Sequence, residues 1–151
     1  MRTADSLSRD EWERILYAPF HAYMHVGGVG GPPIEAQFRY LTEEFAAGHD
    51  AFSDGSVGAM MTAALTENLD PLWTAFQADG RSPKDGLSRA RKTLSKVSDT
   101  ESEAVRDWLI ALASGIGQVR RVMGNEIISP GEAAAISDVA GWLGRPVPQD
   151  D

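Results

Sequence analysis

Between residues 105 and 119, Val105, Trp108, Leu109, Leu112, Ile116 and Val119 recur at three- and four-residue spacing. An α-helix completes a turn in 3.6 residues, so this spacing lays all of them on one face. A strand, with its period of two, would divide them between opposite faces. Similar stripes recur along the chain, several behind a helix-start signal. Ser8 and Glu11 have capping-box spacing, and Trp12, Ile15, Leu16, Phe20 and Tyr23 follow. Pro19 lies inside that run, removes one backbone donor and is expected to kink the helix.

A second helix is expected from about Ile34 to Ala47, with Ile34, Phe38, Leu41 and Phe45 on one face and Gly48 as its stop. A third spans Ser56 to Asn68, with Val57, Met60, Met61, Ala64 and Leu65 inward. Asp70-Pro71 reads as an N-cap with proline at the first helical position, opening a short helix that holds Leu72, Trp73 and Phe76 and closes at Gly80. Ser82-Pro83 repeats the signal before Leu87, Ala90, Leu94 and Val97. The chain restarts near Ser98 to Thr100. Ser129-Pro130-Gly131-Glu132 is a capping box before Ile136, Val139, Ala140 and Leu143, and Gly144 and Pro146 end that helix. No window alternates over strand length. The expectation is an all-α fold: one compact bundle of about seven helices forming a single domain over residues 1–151.

A shift of 98 residues lays Phe38, Leu41 and Phe45 over Ile136, Val139 and Leu143, a hint of pseudo-symmetry between two layouts of helix, glycine loop and helix.

Composition narrows the function classes. The chain has no cysteine, which excludes a disulfide framework, a thiolate nucleophile and a Cys-based metal site. A net charge of -8 argues against general nucleic-acid binding. No apolar run approaches the roughly 20 residues of a membrane span, and the N-terminal MRTADSLSRDEW has no apolar core of a signal peptide. A cytoplasmic protein is the expectation.

The second half resembles the TerB-like family of tellurite-resistance and stress-response proteins. The resemblance rests on Pro83-Lys-Asp-Gly-Leu87, Leu94-Ser-Lys-Val97, Glu103-Ala-Val-Arg-Asp-Trp-Leu-Ile-Ala-Leu-Ala113, Gly124-Asn-Glu-Ile-Ile-Ser-Pro-Gly-Glu132 and Ala135-Ile-Ser-Asp-Val-Ala-Gly-Trp-Leu-Gly144. It implies an all-helical fold, an acidic surface able to hold a divalent metal, and protein partners in a stress response. Where the family shows Asp-Gly in its N-terminal loop, this chain has Gly30-Gly31, followed by Glu35.

Candidate metal ligands are Glu35, Glu126, Glu132 and Asp138, which could meet if the two glycine loops lie together, and Ca²⁺ or Mg²⁺ would suit such oxygen donors. The alternative for Glu132 is a cap, and for Glu35 a favourable place at a helix N-terminus. Asp50 to Gly55 lacks EF-hand ligand spacing. His21 and His25, four apart, could share a helix side, but His-Glu-x-x-His is absent. The glycines of Val26 to Pro33 match no Walker A loop, and Gly115 and Gly117 would allow close helix packing.

Charge is uneven. Residues 1–80 carry 4 basic and 12 acidic side chains, whereas 81–97 carry Arg81, Lys84, Arg89, Arg91, Lys92 and Lys96 against Asp85 alone. Such a basic face is either solvated or a surface for an acidic partner. No Ser–His–Asp arrangement, cofactor fingerprint or paired-carboxylate signature stands out. The expected function is therefore non-catalytic: a TerB-like stress-response domain acting through protein partners, with a divalent metal as a candidate cofactor. The alternative is a metal-dependent enzyme or small-ligand pocket built around His21, His25 and Glu35.

Overall fold

A computed structural model describes residues 6–29, 31–124 and 130–145, with residues 120–124 and 130 described in backbone only. Among the described residues the chain forms eight helices and no strand: α1 (Arg9–Gly27), α2 (Glu35–Ala46), α3 (Gly48–Ala51), α4 (Val57–Glu67), α5 (Leu69–Asp79), α6 (Pro83–Leu94), α7 (Asp99–Gly124) and α8 (Pro130–Trp142). The all-helical bundle expected from the periodicity is thus present.

Side chains and backbone agree at most helix starts. Ser8 Oγ accepts from Glu11 N at 3.1 Å, and Glu11 Oε1 accepts from Ser8 N at 2.9 Å, completing the capping box of α1. Ser56 Oγ and Ser82 Oγ cap α4 and α6 by accepting from Ala59 N and Asp85 N, without the reciprocal bond. Gly80, at φ 71°, closes α5 in the left-handed region. The expected Ser129 cap lies outside the described residues.

The structure departs from the sequence reading in several places. α2 ends just before Gly48 as expected, but Gly48 then opens a short further helix, α3, its bare Cα lying against Thr62 of α4, where any Cβ would overlap that side chain. This extra turn makes eight helices where seven were expected. α5 begins one residue before Asp70, with Asn68 as its N-cap and no side-chain cap bond, so Asp70-Pro71 falls inside the first turn. α2 starts without a Ser, Thr, Asp or Asn cap; Gln37 Oε1 instead accepts from Ile34 N at 2.9 Å. Met60 faces out rather than in, 38% exposed. α1 continues as one helix through the buried Pro19.

α1 is the axis of the bundle. It packs against α2, α4, α5, α6, α7 and α8, most extensively α6 and α7. Its stripe of Ile15, Phe20 and Tyr23 is buried as the periodicity predicts, but Ala18, Pro19, Ala22 and Gly27 are buried too. Small side chains on its other faces let neighbours close in, so the helix is enclosed rather than amphipathic. Around it Phe20, Phe45, Trp73 and Phe76 interlock, with ring centroids 5.2 to 5.8 Å apart. Most of these pairs are edge-on or tilted, as the charge distribution of aromatic rings favours. The pairs related by the 98-residue shift share their environment: Leu41, Val139, Phe45 and Leu143 are buried, and Phe38 and Ile136 half-buried. Gly115 does allow close packing, since the Tyr40 hydroxyl occupies the place of its missing Cβ.

Candidate functional site

On α1, Asp10, Glu13, Arg14, Tyr17 and His21 recur at three- and four-residue spacing and share one side of the helix. With Asp79, Arg81, Gly86 and Arg89 they line a cleft of about 200 Å³ between α1, the end of α5 and α6. The floor of the cleft depends on Gly86. A Cβ there would overlap the imidazole of His21, so only glycine lets α6 settle against that ring. The opposite side of the ring meets Phe76 edge-on, centroids 4.8 Å apart.

His21 is 2% exposed. Burial lowers its pKa from 6.5 to about 4, against the pull of Asp79 and Asp85, so the ring is neutral at pH 7. Its Nδ1 is buried and has no hydrogen-bond partner among the described residues, and the same holds for Asp79 Oδ2. Asp79 Oδ1 accepts from Arg81 Nη1 at 2.6 Å. Asp85 holds Arg81 at 3.4 Å and Arg89 at 3.3 Å. Burial, then Glu13, raises the pKa of Tyr17, keeping its hydroxyl protonated.

His21 and Arg81 also border a second, more apolar cleft of about 510 Å³, walled by Met24, Trp73, Phe76 and Pro83. Met24 is 39% exposed there. The two clefts meet at the imidazole. An occupant would therefore find an aromatic and thioether wall on one side, ion-paired arginines on the other, and the His21 ring between them, its unpartnered Nδ1 buried just beneath the surface.

No family model, curated protein or solved structure matches the chain. The site is therefore read from its own geometry.

The sequence-derived candidates fare unevenly. His21 and His25 stand on different contacts. His25 Nε2 lies 3.1 Å from Asp138 Oδ2, and its ring is 4.7 Å from that of Trp142, so it faces α8 while His21 faces α5 and α6. Glu35 sits on the open first turn of α2, its side chain 92% exposed and 3.6 Å from Arg39. Glu132 is buried instead, its Oε2 3.2 Å from where a Cβ at Gly117 would stand. Glu126 lies outside the described residues. Among the described residues no three His, Asp or Glu side chains stand together as a metal-holding group. Glu35, Glu132 and Asp138 thus do not fit a shared cation site, and a pocket of His21, His25 and Glu35 is not assembled.

The basic run of 81–97 is divided by its neighbours. Arg81 and Arg89 serve Asp79 and Asp85, and Lys96 Nζ reaches the buried Glu11 carboxylate at 2.9 Å. Sequence reasoning missed Asp79 and Gly86. A glycine inside a helical stripe was the available signal for Gly86, since it marks either weakness or close approach.

Proposed function

We propose that this chain is a TerB-like helical domain of the stress-response type that acts by binding a partner protein, not by catalysis. The TerB-like part rests on the sequence resemblance, and the partner-binding part on the meeting of the two clefts at His21: a buried, neutral imidazole with an unpartnered nitrogen, beside an exposed methionine on an aromatic wall. Methionine beside aromatic rings suits recognition of apolar side chains, because the thioether adapts its shape. The imidazole and the arginine-lined cleft would fix the orientation of a polar group next to that anchor. No helix among the described residues is long and apolar enough to cross a membrane. The net charge of -8 favours a protein partner over a nucleic acid, and we place this activity in the cytoplasm. The divalent cation implied by the resemblance is no part of this proposal, since the described carboxylates each have separate surroundings.

The test is differential capture from a lysate of the source organism, using immobilised protein. A partner retained by the parent and by Met60→Glu, but lost by Met24→Glu and His21→Ala, supports the proposal. Equal retention by Met24→Glu and the parent refutes it.

A further inference from the structure

The far end of α6 carries a second feature. α8 closes with a Schellman turn: Arg145 N donates to Ala140 O at 2.8 Å, and Gly144 N to Gly141 O at 3.0 Å, with Gly144 at φ 79°. Two guanidiniums pack over the bare Cα of Gly144. A Cβ there would lie 2.8 Å from Arg91 Nε of α6 and 3.3 Å from Arg106 Nη1 of α7. The turn itself delivers a third, because Arg145 follows directly. Arg145 has one carboxylate, Asp107, at 2.7 Å. Among the described residues neither Arg91 nor Arg106 has a carboxylate within ion-pairing distance, and Arg106 Nε is buried without a hydrogen-bond partner. Three like charges with one direct ion pair among them repel one another, and a buried N–H left unpaired adds a further cost. Burial, then Arg91 and Arg145, lowers the pKa of Arg106, as expected where cations crowd, while Glu103 and Asp99 act in the opposite sense. An anion accepting from these neighbouring guanidiniums would offset that cost. Arginine pairs match the oxygens of phosphate well, since each planar fork can donate twice.

We infer that Arg91, Arg106 and Arg145, gathered around Gly144 where α6, α7 and α8 meet, form a binding site for a phosphate-class oxyanion. The site is separate from the His21 clefts and does not depend on the partner-binding proposal.

Inorganic phosphate is the probe. The full chain is titrated at constant ionic strength, chloride replacing phosphate, with melting temperature and the arginine Nε–Hε resonances as readouts. Binding to the folded state raises the melting temperature by mass action. Phosphate also stabilises proteins generally by exclusion from their surface, so the comparison is between variants. Expected are a saturable rise and a selective shift of the Arg106 resonance in the parent. In Arg91→Gln and Arg106→Gln the phosphate affinity should fall about tenfold or more, the loss of a charged hydrogen bond, whereas Lys92→Gln, which lies outside the cluster, should bind as the parent does. In chloride alone Arg91→Gln should be at least as stable as the parent, because a repulsion is removed. Arg91 is exposed, so its variant keeps the test open if Arg106→Gln does not fold. An equal phosphate response in the parent and Arg91→Gln, or an equal loss in Lys92→Gln, overturns the inference.

Discussion

Gly86→Ala should change sign with the residue at position 21. Gly86 is buried within α6, and a Cβ there would overlap the His21 ring, which is itself buried and backed by Phe76. In the parent, overpacking an enclosed site costs about 1–3 kcal/mol, offset by the roughly 1 kcal/mol that alanine gains over glycine within a helix. The expected net effect is therefore a destabilisation of about 0–2 kcal/mol. In a His21→Ala background the ring is gone and only the helical gain is left, so the same substitution should stabilise by about 1 kcal/mol. The coupling between the two positions should then reach about 1–3 kcal/mol, measured by urea unfolding of the parent, both single variants and the double variant. Stabilisation by Gly86→Ala to the same extent in both backgrounds would show that the ring does not rest on Gly86.

Protonation of His21 should weaken the fold in acid. Its folded pKa, about 4, lies below the unfolded 6.5, so the unfolded state binds the proton more readily between those values. The stability held above pH 6.5 is lost as pH falls towards 4, by an amount on the order of 3 kcal/mol; urea unfolding at pH 7 and pH 5 should show that slope, reduced in His21→Gln, and identical slopes would contradict it. Leu112, buried on the α7 stripe, should cost about 2–5 kcal/mol on truncation to alanine; a chemical-denaturation difference near zero would mean that this face of α7 is misplaced. Millimolar Ca²⁺ or Mg²⁺ should leave the melting temperature unchanged, because Glu35, Glu132 and Asp138 do not converge; a rise that Glu132→Gln removes would restore a cation site.

The bundle was legible because its determinants are local. The stripe from Val105 to Ile116 and the start signals at Ser8 and Ser82 read directly as helices, and the structure places them so. The errors lie where tertiary contact overrides a local signal. α2 does end before Gly48, but the short α3 that Gly48 opens against Thr62 of α4 has no signal in the local sequence. The site was legible only in part. His21 stood out by its spacing from His25, but the partners that matter, Gly86, Phe76 and Asp79, come from other helices. Arg106 sits next to Val105 at the edge of the apolar stripe, where periodicity does not distinguish a flank from a site.

Long-range ¹H–¹⁵N NMR of the histidine side chains, with and without a captured partner, reads the state of the buried, unpartnered His21 imidazole on which the proposal rests. The His21 ring is expected to be neutral at pH 6 and to titrate near pH 4, and its Nδ1 resonance to move when the partner is added. A His21 ring that titrates near pH 6.5, or an Nδ1 resonance unmoved by a partner that Met24→Glu fails to bind, would contradict it.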